Sequence, residues 1–258
     1  MTQLCRVALQ SIIGGTNTSH PGLLLTRGLA TWPANGEGGG KAKKALIDKV
    51  AALGPSPLYF AALARWQAST KGQSQFVPFE ATLASRLYIG VTRDNALETG
   101  VATSHTYGMP MIPGSAVKGL CRAAACKIGI NEKAAIWIFG NEPENDTDAE
   151  IGGLIFHDAW WAGETKDKPL DANDKPFIAE IVTPHHQAYY ASEGITPATD
   201  FDSPIPAYQI AVTGKFYFVV EGDPVWAREA AKLLKAALAF KGIGSKCSSG
   251  YGFFNATE

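Results

Sequence analysis

The chain has 258 residues, 46% of them apolar, and 23 Lys and Arg stand against 24 Asp and Glu for a formal net charge of −1. That balance supports a full hydrophobic core in one large domain or two closely packed ones, and it excludes affinity for polyanions through overall basic charge. Cys5, Cys121, Cys126 and Cys247 show no C-x-x-C spacing, and neither a signal peptide nor an apolar run of membrane length is found. The expectation is a cytoplasmic chain with reduced thiols, no membrane partner and no cofactor.

Residues 1–40 are rich in Gly, Thr, Asn and Pro and read as an irregular arm, ending in Asn35-Gly-Glu-Gly-Gly-Gly40. Helical patterns follow near 41–53 and 57–69, separated by Gly54-Pro-Ser-Pro57. From Thr82 to Val91 the pattern becomes strand-like, with Leu87-Tyr-Ile-Gly90 as a central-strand candidate. Further strands are expected at 153–160, 177–183, 207–213 and 215–221, the last two forming a hairpin around Thr213-Gly214. Residues 141–150 and 163–176 read as solvated connections. Near the end, Asp223 is an expected N-cap and Pro224 a first helical residue. Val225, Trp226, Ala230, Leu233, Leu234, Ala237 and Leu238 then recur at helical spacing until Gly242, and Gly250-Tyr-Gly-Phe-Phe254 reads as a strand. In order, strand, insertion, helix, strands, helix, Gly-rich loop and strand are compatible with an α+β, ferredoxin-like βαββαβ core, the arrangement also used by RNA-recognition domains.

Two segments carry chemistry. The first is Lys241-Gly-Ile-Gly-Ser-Lys-Cys-Ser-Ser-Gly-Tyr-Gly252, where Gly242, Gly244 and Gly250, the hydroxyls of Ser245, Ser248 and Ser249, Lys246 and Tyr251 could set bare N–H groups, hydroxyls and charge against a polyanion. It follows a helix rather than preceding one. Cys247 stands where G-x-G-x-x-G needs glycine, and Ser245-Lys246-Cys247 stands where a Walker loop needs Gly-Lys-Ser/Thr, so a mononucleotide pocket is disfavoured. A helix-to-strand connection without a ligand is the competing reading. In the second, Met109-Pro-Met-Ile-Pro-Gly-Ser-Ala-Val-Lys-Gly-Leu-Cys-Arg122, Gly114 and Ser115 open a helix with Ser115 as N-cap. Lys118 falls in its first turn, where the helix dipole disfavours a cation and a docked anion would relieve it, and Arg122 follows one turn later on the same face. Two solvated basic residues on a surface helix would look the same.

Together, Pro-x-Ile-Pro-Gly-Ser-x-x-Lys-Gly-x-x-Arg and Gly-Ile-Gly-Ser-Lys-x-Ser-x-Gly-Tyr-Gly resemble the signature of the RAMP superfamily, the repeat-associated RNA-binding proteins of CRISPR systems. Asn17-Thr-Ser-His-Pro-Gly-Leu-Leu-Leu25, Leu97-Glu-Thr-Gly100, Ile155-Phe-His-Asp-Ala159, Ile181-Val-Thr-Pro-His-His-Gln-Ala-Tyr-Tyr190 and Asp202-Ser-Pro-Ile-Pro206, in that order, narrow the resemblance to the sixth-subunit branch of Cmr-type, type III-B effector complexes. The resemblance implies one RAMP-type domain over 1–258, with an arm and helical insertion at 1–75 and a ferredoxin-like core with extra helices at 76–258. It also implies a β-hairpin or thumb projecting from Thr92 to Met111, with Leu97, Val101, His105 or Tyr107 wedging between guide and target strands. The implied function is a non-catalytic structural subunit in antiviral defence. It would bind the 3′ part of the guide crRNA, cap the filament, accommodate target RNA and contact other Cmr-type RAMP subunits. Phosphates would be held by the residues of the two segments.

Enzymatic readings are weaker. Ser115-Ala-Val-Lys118 matches S-x-x-K, but the companion S-D-N and K-T-G motifs are absent. His185 and His186, followed by Asp200 and Asp202, would supply an acid–base pair only if the fold gathers them. Glu98 lies near the place where filament-forming relatives carry a cleaving Asp, so a metal-dependent endoribonuclease using Glu98 or His185/His186 is the alternative. A zinc site from Cys121, Cys126 and one of His185 or His186 competes with inert helical thiols.

Overall fold

A computed structural model describes residues 2–3, 19–32, 39–91, 97, 99–141, 150–165, 168–183, 186–202 and 206–255. In chain order the elements are β1 (Thr2–Gln3), α1 (Pro21–Arg27), β2 (Thr31–Trp32), α2 (Gly39–Ala51), α3 (Pro57–Thr70), β3 (Phe76–Thr82), β4 (Met111–Ile112), α4 (Gly114–Lys127), α5 (Glu132–Phe139), β5 (Ile155–Phe156), β6 (Ala159–Gly163), β7 (Phe177–Val182), α6 (Gln187–Ala191), β8 (Ala207–Val212), β9 (Lys215–Glu221) and α7 (Pro224–Phe240). The fold is mixed α and β, with antiparallel strand pairing throughout these elements.

The central strand is β9, whose Phe216-Tyr-Phe-Val-Val220 run is buried throughout. A continuous apolar run of this kind needs cover on both faces. On one face Phe218 stacks on its cross-strand partner Phe79, at 5.1 Å between centroids, and Lys235 of α7 lies over the Phe79 ring. On the other, Tyr217 reaches Thr70 of α3, hydroxyl to hydroxyl at 2.6 Å. The sheet order is β3-β9-β6-β4, with β5 on β9 in line with β6, and Leu83 bridges Phe254 just past β3. Helix α7 forms as expected: Asp223 accepts from the N–H groups of Val225 and Trp226, Pro224 occupies the first turn, and Ala227, Ala230, Ala231, Leu234, Ala237 and Leu238 make the buried stripe. It packs on α4, where the Cys121 thiol points at Ala230 O, 3.7 Å away.

Three expectations are corrected. The segments 207–213 and 215–221 do not pair as a hairpin. The chain turns at Thr213-Gly214 from β8, paired with β7, into β9 of the main sheet. Gly214 makes this possible with φ +103°, in a slot where a Cβ would lie 2.4 Å from Gly163 O and 2.6 Å from the Trp161 indole nitrogen. Leu87-Gly90 is not a central strand. Leu87 and Tyr88 form single bridges, to Val212 and Ser245, that tie the two sheets and the Gly-rich loop together.

The described part of the 92–111 segment does not project either. Ala102 N–H donates to Ile89 O, Met111 N–H donates to Ala102 O, and Leu97 and Val101 are 1% and 5% exposed, because apolar side chains here have a core to enter. Tyr107 instead joins a ring cluster with Tyr59 and Trp160, and His105 remains exposed with its carbonyl accepting from His20. Residues 92–96 and Glu98 lie outside the described residues. Among those described, no helix is long and apolar enough to cross a membrane.

Candidate functional site

The Gly-rich loop is built by closing α7 and laying the chain against the segment that follows β3. Gly242, at φ +72°, donates to Ala237 O and ends the helix in the left-handed region that glycine adopts without penalty. Gly244, at φ +90°, passes so close to Tyr88 that a Cβ would stand 2.2 Å from Tyr88 O. Ser245 N–H donates to Tyr88 O at 2.8 Å and Gly252 N–H to Arg86 O at 2.7 Å. Lys246, itself left-handed at φ +61°, then leads into a short 3₁₀ turn, Cys247–Ser249, which Gly250 closes.

This architecture corrects the expected cradle of bare N–H groups. Those of Gly242, Ile243, Ser245, Ser249, Gly250, Tyr251 and Gly252 are spent on the loop's own fold, because a loop seated on the sheet must satisfy its backbone internally. Among the described residues, the N–H groups of Gly244, Lys246, Cys247 and Ser248 make no backbone hydrogen bond. What the loop presents outward is mainly side chain: Lys246, Ser248 and Ser249 are exposed, and Ser245 is half-buried. The Lys246 ammonium lies 4.9 Å from the centre of the Tyr88 ring, and Tyr251 packs on the same ring at 4.8 Å.

Beside the loop runs an open groove of about 550 Å³, lined among others by Ser85, Arg86, Thr213, Ser249, Gly250 and Tyr251. Ser85 Oγ donates to Gly250 O, and the Arg86 guanidinium is ion-paired with Glu180 of β7. Sequence reasoning missed Ser85, Arg86, Tyr88 and Glu180 as site residues. A signal existed, since extended backbone puts Arg86 and Tyr88 on one side, but it was absorbed into a strand assignment.

The second motif is also rearranged. Pro113, not Ser115, occupies the cap position of α4, and Ser115 lies exposed inside the first turn. Capping comes from a distant residue. Asp158, in the break between β5 and β6, accepts the Gly114 N–H at 2.7 Å, and Gly114 sits so tightly on β5 that a Cβ would lie 2.1 Å from Phe156 O. The protein therefore supplies its own anion to this helix terminus, and Lys118 and Arg122, both half-buried, follow from it one turn apart. Asp158→Ala is expected to lower the unfolding free energy by about 1 kcal/mol and Asp158→Asn by less, since an amide oxygen can still accept; a urea titration of the three proteins checks it.

The two motifs are linked through one irregular ladder: Ser245 to Tyr88, Ile89 to Ala102, Ala102 to Met111. Three strand spacings of roughly 4.8 Å place Ser245 and Met111 within about 15 Å. That is too far for one phosphate to bridge and suited to an extended strand touching both. The ladder ends at Met111, three residues before Gly114 opens α4, and Cys121, next to Arg122, lies against Ala230 of α7.

Of the remaining candidates, His186 and Asp202 pair with one another. His186 Nδ1 donates to Asp202 at 2.9 Å, and this bond, with those from Thr199, holds the Asp202 carboxyl below its usual range; the arrangement clasps a loop. Glu98 and His185 lie outside the described residues. Burial pushes the Cys121 thiol up to about 12, while Cys126 is exposed, and among the described residues no three His, Cys, Asp or Glu side chains gather to hold a metal.

A family model, that of the RAMP superfamily, matches residues 80–255. The chain is 28% identical over 224 residues to the CRISPR system Cmr subunit Cmr6 of Pyrococcus furiosus, covering 65% of this chain and 64% of that protein. It is 27% identical over 194 residues to the CRISPR system CMR subunit Cmr6 of Saccharolobus solfataricus, covering 70% and 58%. The chain thus spans less than two-thirds of the length of either relative. A chain in the cryo-EM structure of the type III-B Cmr-beta complex bound to cognate target RNA shares the fold, with a TM-score of 0.63 and 18% identity over 99% of this chain and 92% of that one.

Proposed function

The chain belongs to the RAMP superfamily, and from that premise we propose that it is a non-catalytic RNA-binding subunit of a type III-B CRISPR effector complex. It holds the 3′ part of the guide crRNA at the end of the backbone filament, caps that filament beside sibling Cmr-type subunits and accommodates target RNA. The observation that carries this reading is the Gly-rich loop, whose Lys246, Ser248 and Ser249 stand outward on a seat of Tyr88 and Tyr251, beside a groove lined by Ser85 and Arg86. Cations and hydroxyls on a rigid aromatic base suit a ribose-phosphate strand, and contacts of that kind fix register while guide–target pairing reads sequence. Lys118, on the far side of the ladder, would take a further phosphate. The strand order, with the 254 segment beside β3, then β9, then β5 and β6, and with α4 and α7 packed together, supports a ferredoxin-like βαββαβ core. The near-neutral charge fits a subunit that shares the RNA with neighbours.

In the assembled complex, Lys246→Ala and Lys118→Ala are each expected to weaken RNA retention and to reduce the slope of log affinity against log salt by about 1. Unchanged affinity and slope in both would reassign the chain to protein–protein assembly alone. Labelled RNA incubated with the same preparations and magnesium or manganese should stay full length. Cutting that disappears in Glu98→Ala or His185→Ala would make the chain an endoribonuclease.

A further inference from the structure

The groove lies where three parts of the chain meet: the segment after β3 that ends at Arg86, Ile178 and Thr213 of the second sheet and its exit turn, and Ser249 to Tyr251 of the Gly-rich loop. Among the described residues, Arg86 is the one charged side chain lining it. That side chain is 45% exposed, yet its guanidinium is ion-paired with Glu180 of β7, which is 12% exposed. Glu180 engages it through Oε1, while Oε2 is buried and finds no hydrogen-bond partner among the described residues. A carboxylate so poorly hydrated depends on its cation.

A strand in the groove would bring a phosphate to the same guanidinium. Sharing is unfavourable, because both anions would sit within the width of one guanidinium, like charge beside like charge. Either the phosphate stays out or Arg86 leaves Glu180. The neighbouring loop tips that choice. Arg86 and Tyr88 lie on one side of extended backbone, about 7 Å apart, and the Lys246 ammonium stands over the Tyr88 ring. A strand already held at Lys246 presents its next phosphate to Arg86 at high effective concentration, which a lone phosphate ion lacks.

Resting on the reading of the loop and groove as an RNA site, we propose that Arg86 is a further phosphate contact held in reserve by Glu180, a built-in competitor that the bound strand displaces. Glu180 thereby lowers affinity for RNA and keeps stray anions off the groove.

The test is a double-mutant cycle on the full chain, with wild type, Glu180→Gln, Arg86→Ala and the double variant each titrated against one labelled single-stranded RNA at one salt concentration. Glu180→Gln should bind about fivefold more tightly than wild type, the scale of one partly exposed ion pair no longer broken on binding. Arg86→Ala should weaken binding about fifteenfold in the Glu180→Gln background and only about threefold in wild type, the difference between the two being the cost of displacing Glu180. Weaker binding by Glu180→Gln than by wild type would overturn the proposal and make Glu180 a support that aims Arg86. Single changes whose effects simply multiply, or that alter nothing, would overturn it too and reduce the pair to a surface tie between the two sheets. Wild type and Glu180→Gln that both fail to bind the RNA would instead overturn the assignment of the loop to RNA.

Discussion

Gly244→Ala is expected to lower the unfolding free energy by about 3 kcal/mol and, if the loop binds RNA as proposed, to weaken that binding at least about tenfold. Two costs combine. The left-handed φ of +90° costs an L-residue about 1–2 kcal/mol. A methyl group 2.2 Å from Tyr88 O forces the loop off the segment that seats it, at roughly 1–3 kcal/mol more. Losing that seat would break the hydrogen bond from Ser245 to Tyr88 O and release Lys246 from its position over the Tyr88 ring. Gly250→Ala is the control. Its φ of +88° is equally left-handed, but no atom stands within 4 Å of the added Cβ, so only the backbone cost of about 1–2 kcal/mol should be seen. Chemical denaturation of both variants, with RNA titrations alongside, measures the difference. Equal losses would show that the contact with Tyr88 carries nothing.

A larger loss of stability is expected at Trp161. Its side chain is fully buried, its indole N–H donates to Thr213 O at 2.7 Å, and its own carbonyl accepts from the Tyr59 hydroxyl at 2.7 Å. One residue therefore joins β6, α3 and the turn that passes from the second sheet into β9. Trp161→Ala should cost about 3–5 kcal/mol through cavity formation and the stranded carbonyl of Thr213. Trp161→Phe should cost about 1–2 kcal/mol, because the ring space is largely refilled but the hydrogen bond is not. Denaturant midpoints with unchanged slope would check both. Since Thr213 also lines the groove, the alanine variant should, if the groove binds RNA as proposed, impair that binding even where it stays folded. A loss below about 1 kcal/mol for Trp161→Ala would refute the view of this residue as the junction of the two sheets.

Local chemistry explains what could be read in advance. Helices α2, α3 and α7 fall within two residues of their expected bounds, because caps such as Ser56 and Asp223, prolines at the first turn and apolar stripes act within one or two turns of chain. The strand at 76–82 was less legible. Pro78 interrupts its apolar run, and it is accommodated in β3 opposite Val219 because a strand near the sheet edge can present a proline without losing an inward hydrogen bond. The thumb expectation failed at Leu97 and Val101 for a related reason: an apolar residue in an insertion looks the same whether it will be displayed or buried.

At the site, the chain's own order of residues determined which groups would be presented: four glycines able to take positive φ, the serines, and the lysines of two motifs. It also determined the family resemblance, since both motifs are short and contiguous. Only the tertiary structure decided how those groups are used. It spent most of the loop's N–H groups on Arg86, Tyr88 and the loop itself, and it delivered Asp158 from 44 residues away to cap α4. It also paired the exposed Arg86 with Glu180 of β7 and buried Tyr88 beneath Lys246 and Tyr251. Backbone conformation is governed by neighbours along the chain. The partner of a hydrogen bond or an ion pair depends on which distant segments a shared core brings within about 3 Å, and no local pattern encodes that.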